Sequence, residues 1–354
     1  MFKALKSIVT AGAALLLAAT VVQADPVHLN ADGGTFPAPL YAKWIQVFNA
    51  ANPDIVVDYQ AVGSGAGIKA ISGQLVPFAG SDAPLTDAQE QNAPGKILHI
   101  PTVAGPEVMT YNLPGLNGQL VLDGQTIADI YMGNVTSWND PEIQKLNPNL
   151  NLPNLPIAVA HRSDGSGTTY IFTDYLSHVS SNWASQVGNA TAVQWPVGQG
   201  GKGNAGVAAI VKNTVGGIGY VEYAYALNGN LTYAALVNHD GNTVQPSIAG
   251  VVAAAQGMMD NIPDDFRLHI VDAPGADSYP ICGFTYLLVY QDLDYLKDPN
   301  EAQALVKWLV WCETDGQQYA AGLKYASLPS ALQQKIMDQL KTITFNGQLV
   351  WTGQ

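Results

Sequence analysis

The stretch PIAVAHRSDGSGTTYIFTDYLSHV (156–179) carries the pattern of a strand, a polar turn and a helix in succession. Its first five residues form an apolar run that is typical of a buried strand. After the turn, apolar residues between Ile171 and Val179 recur at helical spacing. The stretch therefore predicts one strand–turn–helix unit of an α/β fold.

Residues that can bind an anion fill the turn of this unit, HRSDGSGTT (161–169). Arg162 offers a fork of donors, Ser166 and Thr168 offer hydroxyls, and the first N–H groups of the helix have no intrahelical partner. A helix N-terminus with such neighbours is typical of an oxyanion site. The alternative is an ordinary capped turn, with Arg162 in solvent or paired with Asp164, and the segment alone leaves both open.

Three further polar turns repeat this composition elsewhere in the chain. DGGTFPAP (32–39) and GSGAG (63–67) each lead from a strand pattern into a helix pattern, and GSDAPLT (80–86) places Asp82 after an apolar run. In open α/β sheets, turns from strand to helix gather at the carboxyl edge of the strands, where ligands bind. Four such turns predict one shared ligand site.

The first 24 residues have the organisation of a secretory signal peptide, with Lys3 and Lys6, an apolar stretch, and small residues before Asp25. We expect cleavage after Ala24 and export of the mature protein. A membrane anchor is the alternative, but the apolar core is short for a bilayer span, and no other apolar run is long enough.

The composition narrows the range of partners. The 354 residues include 28 Asp and Glu against 15 Lys and Arg, which gives a formal net charge of −13. Such a charge argues against nucleic acid and anionic membranes as partners, so a bound anion must be held by local contacts. The length predicts two α/β domains. The six histidines show no metal-ligand spacing, and we expect neither a metal nor a cofactor.

The motifs of common nucleotide sites and hydrolases fail when their spacing is checked. GSGAG has the spacing GxGxG rather than GxGxxG, and GQGGKGN (198–204) has glycine where a Walker loop needs Ser or Thr. Neither Ser64 nor Ser166 stands in a GxSxG element. His161 is the only histidine near these turns in sequence, and we interpret it as a structural residue at a strand end. We therefore expect a binding protein and not an enzyme.

Eight blocks of sequence carry a resemblance to a known family, and they occur in the order GGTFPAPLYAKW, GSGAG, GSDAPL, LDGQTIADIYMGNVTSWNDPEI, RSDGSGTT, GQGGKGNAGVAA, GGIGYVEYAYA and YASLP. Together they resemble the periplasmic phosphate-binding proteins of phosphate-specific ABC uptake systems. The resemblance runs from about Asp32 to about Pro329 and is weakest between Val244 and Ala276 and in about the last two dozen residues.

The resemblance implies a two-domain periplasmic binding protein fold, in which each lobe is a mixed sheet flanked by helices. A cleft between the lobes would close around one phosphate. We expect a discontinuous first lobe formed by residues 25–103 and 276–354, and a second lobe formed by residues 104–275. The implied partners are inorganic phosphate and the inner-membrane permease subunits of a phosphate ABC transporter.

The resemblance also implies the phosphate contacts of the first lobe. Thr35 would donate its hydroxyl and its N–H, Phe36 its N–H, and Ser64 its hydroxyl and its N–H. Asp82 would accept a hydrogen bond from a protonated phosphate oxygen. The alternative for Asp82 is a cap of the helix that is expected to begin near Pro84.

The second lobe would supply the remaining contacts implied by the resemblance. Arg162 would pair with the anion, and Asp164 would orient Arg162. Ser166, Gly167 and Thr168 would contact the anion from the start of the helix. The sequence departs from the family pattern beside this set, with Gly65 where a second serine often stands and Ser163 in place of a small apolar residue, and neither change removes a matched contact.

Two other functions remain to be distinguished from phosphate binding. A binder of sulfate or molybdate would share the donor groups, but Asp82 argues against a fully ionised anion, because like charges repel. A secreted phosphatase would need metal ligands or a nucleophile with a base, and the sequence offers no such set.

Cys282 and Cys312 are the only two cysteines. Cys282 lies in a strand pattern, PICGFTYLLVY, and Cys312 ends an apolar helix pattern, ALVKWLVWC, that should pack on that sheet. Since the periplasm is oxidising, we expect a disulfide between them. Two buried free thiols are the alternative.

Overall fold

The computed structural model describes residues 25–259 and 262–353. The expected signal peptide, residues 1–24, lies outside the described residues. Within the part of the chain that is described, no helix combines the length and the apolar character that crossing a membrane requires.

The strands are mostly short, with two long exceptions in the middle of the largest sheet. The described strands are β1 (Val27–Gly33), β2 (Ile55–Ala61), β3 (Ala79–Ser81), β4 (Ile97–Tyr111), β5 (Val121–Leu122), β6 (Ala158–Arg162), β7 (Gln199–Gly201), β8 (Gly217–Glu222), β9 (Thr232–Tyr233), β10 (Ala235–Val237), β11 (Thr243–Val244), β12 (Cys282–Tyr290), β13 (Thr344–Phe345) and β14 (Gln348–Leu349).

Helices alternate with these strands along most of the chain. The described α-helices are α1 (Ala38–Ala51), α2 (Ser64–Ser72), α3 (Asp87–Asn92), α4 (Gly124–Met132), α5 (Pro141–Leu146), α6 (Gly167–Val179), α7 (Ser181–Gln186), α8 (Gly203–Asn213), α9 (Tyr223–Gly229), α10 (Ile248–Gln256), α11 (Pro299–Glu313) and α12 (Ser330–Leu340). Short 3₁₀ helices lie at Asp294–Leu296, Asp315–Tyr319 and Ala321–Leu323.

One mixed sheet of nine strands organises the described residues, in the order β2-β1-β3-β12-β4-β8-β6-β7 with β9 beside β4. At one end β1 pairs in parallel with β2 and β3, and at the other β6 pairs in parallel with β7 and β8. The central pairings, β3 with β12, β12 with β4 and β4 with β8, are antiparallel. The sheet thus has two parallel ends joined by antiparallel strands, and the expected mixed α/β architecture is confirmed.

Strand β4 links the two ends because it is 15 residues long and buried throughout. Residues 97–106 of this strand pair with β12, and residues 107–111 pair with β8. A single continuous strand therefore takes part in both halves of the sheet.

The strand–turn–helix unit around HRSDGSGTT forms as the sequence predicts, with a small shift of the strand. The strand begins at Ala158 rather than Pro156, because a proline has no N–H to donate to a sheet and the N–H of Ile157 donates to the carbonyl of Thr136 outside the sheet. The helix α6 begins at Gly167, where the Ser166 hydroxyl accepts a hydrogen bond of 3.0 Å from the N–H of Thr169. Side-chain capping of this kind satisfies one of the donors that a helix start leaves unpaired.

Aromatic side chains anchor the helices of each half to the sheet. In the first half, the rings of Trp44 and Phe48 on α1 pack against Trp308 on α11, with centroids 6.5 and 5.0 Å away. In the second half, Phe172 on α6 stacks on Tyr220 of β8, with centroids 4.2 Å apart. These contacts fix the helices whose first turns carry the polar residues described below.

The disulfide expected between Cys282 and Cys312 is wrong, since both cysteines are buried and free. Cys282 pairs with Pro106 in β4, whereas Gln317 donates hydrogen bonds to the carbonyls of both Cys312 and Thr102. Thr102 and Pro106 are four residues apart on one strand, or about 13 Å at roughly 3.3 Å per residue. Disulfide-bonded residues have Cα atoms about 5.5 Å apart, so this helix covers the sheet too far along the strand for a bridge.

We expect thiol titration of the denatured, unreduced protein to find two reactive thiols per chain. The native protein should react much more slowly, because burial raises the pKa of both thiols well above the usual range and excludes the reagent. Titration of native and denatured samples in parallel provides the control. Absence of free thiols in the denatured sample would contradict the structure.

Candidate functional site

The polar turns predicted from the sequence meet in one buried cluster. The N–H of Gly65 donates a 2.9 Å hydrogen bond to the carbonyl of Gly165, which joins the turn before α2 to the turn before α6. A Cβ atom on Gly167 would collide with the Asp82 carboxylate and the Ser64 hydroxyl. The residues expected to bind the ligand are all buried neighbours within this cluster: Thr35, Phe36, Ser64, Asp82, Arg162, Ser166, Gly167 and Thr168.

Two tyrosines fix the turn before α1. The hydroxyl of Tyr225 donates to the carbonyl of Thr35, and that of Tyr325 donates to the carbonyl of Phe36, both at 2.7 Å. The C=O and N–H of one trans peptide point in opposite directions. The Tyr225 bond therefore also sets the direction of the Phe36 N–H, which belongs to the same peptide unit as the Thr35 carbonyl.

Helix α2 begins at Ser64 directly after Gly63, whose φ of 106° is a backbone conformation that glycine adopts without strain. The Ser64 hydroxyl accepts a hydrogen bond of 3.2 Å from the N–H of Asp82 and lies 3.3 Å from the Oδ2 atom of the same residue. The start of α2 is thereby attached to the end of β3.

The Asp82 side chain faces the cluster and does not cap a helix. Its Oδ1 atom accepts a 2.7 Å hydrogen bond from the hydroxyl of Thr285 on β12. The next helix, α3, begins only at Asp87 and is capped by the Thr86 hydroxyl, which accepts from the N–H of Gln89. The alternative that Asp82 is a helix cap near Pro84 is therefore wrong.

Burial raises the pKa of Asp82 from its ordinary value to about 6. The hydrogen bond from Thr285, the charge of Arg162 and the hydrogen bond from Ser64 oppose this effect and lower the pKa in part. Above about pH 6, Asp82 is thus an ionised carboxylate, which can accept hydrogen bonds but cannot donate them.

Arg162 is buried and its guanidinium is shared between two neighbours. The Nε and Nη2 atoms donate to the two carboxylate oxygens of Asp164, and Nη1 donates at 3.2 Å to the hydroxyl of Thr168. Burial alone would raise the pKa of Asp164, but the hydrogen bonds and charge of Arg162, with the N–H of Gly203, lower it overall. Arg162 is therefore both paired with Asp164, as in the capped-turn alternative, and held within the cluster.

The first turn of α6 adds backbone donors to the cluster. The N–H groups of Gly167 and Thr168 are the first two of the helix and have no intrahelical acceptor. The positive end of the helix dipole lies at the same place, which favours a negative ligand.

Two residues of the cluster were missed by the sequence analysis. Asn204, completely buried at the start of α8, donates from Nδ2 to the hydroxyls of Thr35 and Thr168 at 2.9 and 3.0 Å. The turn GQGGKGN before α8 has the same Gly-rich composition as the other turns and could have indicated it. Thr285 lies inside β12, where no local pattern marks it.

Two buried glutamates, Glu107 and Glu222, lie opposite each other on β4 and β8. Both carboxylate oxygens of Glu107 lack a hydrogen-bond partner, and the Oε1 atom of Glu222 accepts from the N–H of Ala224 at 2.9 Å. Burial is the largest effect on both groups and raises their pKa values, that of Glu222 to about 8. Burial therefore disfavours the ionised form of both acids and keeps Glu222 mostly protonated near neutral pH, which reduces the negative charge beside the cluster.

This arrangement is suited to bind a small oxyanion. It combines the guanidinium of Arg162, which Asp164 holds, and several hydroxyl and backbone N–H donors with the carboxylate of Asp82 as an acceptor. His161 stacks on Trp195, with ring centroids 4.8 Å apart, in agreement with a structural role at the strand end. Among residues 25–259 and 262–353, no group of three His, Cys, Asp or Glu side chains is arranged to hold a metal ion.

Comparisons with known proteins agree with this geometry. The family model described as PBP superfamily domain matches residues 20–313. The chain is 38% identical over 341 residues to the phosphate-binding protein PstS of Pasteurella multocida, which covers 96% of this chain and 97% of that protein. It is 40% identical over 315 residues to PstS of Xylella fastidiosa, and the match covers 89% of this chain and 85% of that protein.

A solved structure is similar over most of its length. The high-affinity periplasmic phosphate-binding protein PfluDING, bound with phosphate, matches with a TM-score of 0.70 and 21% identity, covering 88% of this chain and 93% of that one. At this level of identity the likeness shows the fold. The two-lobed periplasmic binding protein architecture expected from the sequence is confirmed.

We expect Glu222→Gln to raise the melting temperature by roughly 5–10 °C at pH 8 and by only about 2 °C at pH 5. The pKa of Glu222 is about 8 in the folded protein and about 4.3 in an unfolded chain. Because the folded state holds this proton more tightly, the stability it contributes is present at low pH and lost as the pH rises through this window. Glutamine stays neutral and can still accept the hydrogen bond from Ala224.

Thermal unfolding of both proteins at the two pH values measures this effect. Glu90→Gln, on the partly exposed face of α3, is the matched control and should not show it. An equal shift for Glu222→Gln at pH 5 and pH 8 would mean that Glu222 does not titrate in this range.

Proposed function

This chain belongs to the PstS family of phosphate-binding proteins, and we propose that it captures inorganic phosphate and delivers it to the membrane permease of an ABC transporter. The proposed role is binding and not catalysis. It takes place outside the inner membrane, in the periplasm, after removal of a signal peptide that ends at Ala24.

Each of the eight residues that the sequence analysis assigned to the ligand has a proposed contact with the phosphate. The hydroxyl groups of Thr35, Ser166 and Thr168 donate to the anion, the Ser64 hydroxyl turns from Asp82 to donate to it as well, and Arg162 pairs with it. Backbone donors complete the shell, and they are the N–H groups of Thr35, Phe36, Ser64, Gly167 and Thr168. Bonds to a charged acceptor are stronger than neutral ones, so this shell can replace the water that the anion loses.

The buried carboxylate of Asp82 is the feature that favours phosphate over other oxyanions. This carboxylate is buried among groups that donate hydrogen bonds. It lies so close to the start of α6 that a Cβ atom on Gly167 would collide with it. Only an anion that still carries a hydrogen can donate to Asp82. Phosphate carries one near neutral pH, whereas sulfate does not.

The binding cycle is proposed to be a hinge motion of two lobes, one formed by residues 25–103 and 276–354 and the other by residues 104–275. The first boundary falls within β4, and the second lies shortly before β12. Opening would separate the bond between Gly65 and Gly165 and the contact between Thr35 and Asn204. The permease would then recognise the closed, phosphate-bound form.

Titration calorimetry with phosphate, on protein stripped of any copurified anion, tests this function. We expect one phosphate per chain and no turnover of a chromogenic phosphate ester. Binding of sulfate or molybdate in place of phosphate, or ester hydrolysis by the pure protein, would overturn the proposal.

We expect sulfate to compete poorly with phosphate at pH 8 and better at pH 5. The pKa of Asp82 is about 6 in the folded protein, so the side chain is an acceptor above this pH and can donate to a sulfate oxygen below it. Unsatisfied buried polar groups of this kind can discriminate by about 10⁴-fold. Competition calorimetry at the two pH values measures the change.

The matched variant for this experiment is Asp82→Asn. Its amide can donate at any pH, so sulfate should compete similarly at pH 5 and pH 8. Equal affinity of the unmodified protein for sulfate and phosphate at pH 8 would contradict the role of Asp82.

We expect Arg162→Ala to weaken phosphate binding by roughly 2–5 kcal/mol, as when one partner of a buried charge pair is removed. Asp164→Ala should weaken it less, since Arg162 keeps its charge and loses only its orientation. Arg267→Ala is the control, because Arg267 forms its ion pairs with Asp87 and Asp265 outside the cluster. Calorimetry that finds Arg162→Ala within twofold of the unmodified protein would place the anion elsewhere.

A further inference from the structure

The amide of Asn204 connects two hydroxyl groups that belong to the proposed phosphate shell. Its Nδ2 atom lies 2.9 Å from the Thr35 hydroxyl and 3.0 Å from the Thr168 hydroxyl. Thr35 precedes α1 and Thr168 lies in the first turn of α6, so one side chain links the two halves of the site. The inference drawn from this contact rests on the proposed binding of phosphate.

The orientation of the Asn204 amide is fixed by the backbone of β8. The N–H of Glu222 donates a 2.9 Å hydrogen bond to Oδ1 of Asn204. A backbone N–H can only donate, so the amide oxygen must face it. The NH₂ group must then face the two threonines, and each of its hydrogens is directed to one hydroxyl.

Both hydroxyls consequently have their lone pairs occupied. The Thr35 oxygen accepts from Nδ2 and from the backbone N–H of Asn204, the latter at 3.2 Å. The Thr168 oxygen accepts from Nδ2 of Asn204 and from Nη1 of Arg162, also at 3.2 Å. A hydroxyl group has two acceptor sites and one hydrogen, so the hydrogen is all that each threonine can still offer.

We propose that Asn204 is a positioning residue that turns Thr35 and Thr168 into obligate hydrogen-bond donors and thereby selects unprotonated phosphate oxygens at these two positions. A protonated oxygen placed there would meet a second donor and no acceptor. The single P–OH group of the dibasic anion is then directed to Asp82, the acceptor of the site. The monobasic anion, with two P–OH groups, is disfavoured because its second hydrogen finds no acceptor at these positions.

The backbone before Asn204 supports this arrangement. Gly203 has a φ of 66°, in the left-handed region, and its N–H donates to Asp164 at 3.0 Å. This conformation lets the next N–H, that of Asn204, reach the Thr35 hydroxyl. One short turn therefore donates hydrogen bonds both to Asp164, the partner of Arg162, and to the hydroxyl of Thr35.

Phosphate affinity at two pH values tests this role. We expect Asn204→Ala to weaken binding at pH 8 by about tenfold or more, because the two hydroxyls are no longer held as donors. At pH 5.5, where monobasic phosphate dominates, the loss should be clearly smaller, since freely rotating hydroxyls can accept from a protonated oxygen. A purely structural defect would weaken binding to the same extent at both pH values.

The other charged groups around the anion are the same in both proteins. They are Asp82, Arg162, Asp164, Glu107 and Glu222. The substitution leaves all five groups in place, so the comparison isolates the contribution of Asn204. Asn213→Ala, at the exposed end of the same helix, is the matched control and should leave the affinity unchanged.

A second variant keeps the inference testable if Asn204→Ala unfolds. Asn204→Asp has the same shape and can still accept from the Glu222 N–H, but its second oxygen can only accept. The two threonine hydroxyls would turn towards it and away from the anion, so binding at pH 8 should fall much further than for Asn204→Ala. Thermal unfolding of the ligand-free variants establishes that they are folded.

The possible results separate the two proposals. An unmodified protein that does not bind phosphate overturns the proposed function and, with it, this inference. If the unmodified protein binds phosphate, the proposed function stands and only the role of Asn204 is at issue. That role is overturned if Asn204→Ala keeps its affinity for phosphate, or loses affinity equally at pH 5.5 and pH 8.

Discussion

Several helices begin at one buried cluster, and the N–H groups of their first turns have no partner within the helix. The rest of the site depends on supplying these groups with hydrogen-bond acceptors. The turns before α1, α2, α6 and α8 are joined there by hydrogen bonds from one turn to the next. Buried donors without partners are unfavourable, so each must find a cap, a neighbouring carbonyl or a ligand. The Ser166 cap satisfies one, and an oxyanion in the cluster would satisfy several more at once. The same local feature therefore starts the helices and forms the binding shell.

The cluster can attract an anion although the chain is strongly acidic. Its formal net charge is −13, and the guanidinium of Arg162 is already paired with Asp164. Burial disfavours the ionised forms of Glu107 and Glu222, which reduces the negative charge in the neighbourhood. What remains is a set of fixed dipoles pointing inward, and dipoles of this kind act strongly at short range where water is excluded. Affinity in such a site comes from orientation more than from net charge.

In the proposed site, selectivity depends on where each hydrogen atom lies. Asp82 provides an acceptor at one position, and the amide of Asn204 occupies the lone pairs of Thr35 and Thr168 at two others. Each of these groups is in turn fixed by a partner on the central strands, Thr285 on β12 or the N–H of Glu222 on β8. The central strands β8 and β12 thus determine which side chains of the site donate and which accept hydrogen bonds, while the helix starts supply most of the backbone donors.

The sequence by itself determined the strand–turn–helix units and the polar turns, because periodicity, capping residues and glycines at special φ values act within a few residues, and eight ordered blocks of sequence indicated the family. Only the tertiary structure decided the partners across the sheet. Thr285 meets Asp82 from 203 positions away, and the sheet order that brings them together has no local signature. The same limit explains the wrong disulfide, since a helix pattern indicates which face packs on a sheet but not where along the strand it lies. Helix caps, turns and periodicity depend on neighbouring residues, whereas strand register and the position of a helix on the sheet depend on the packing of the whole chain.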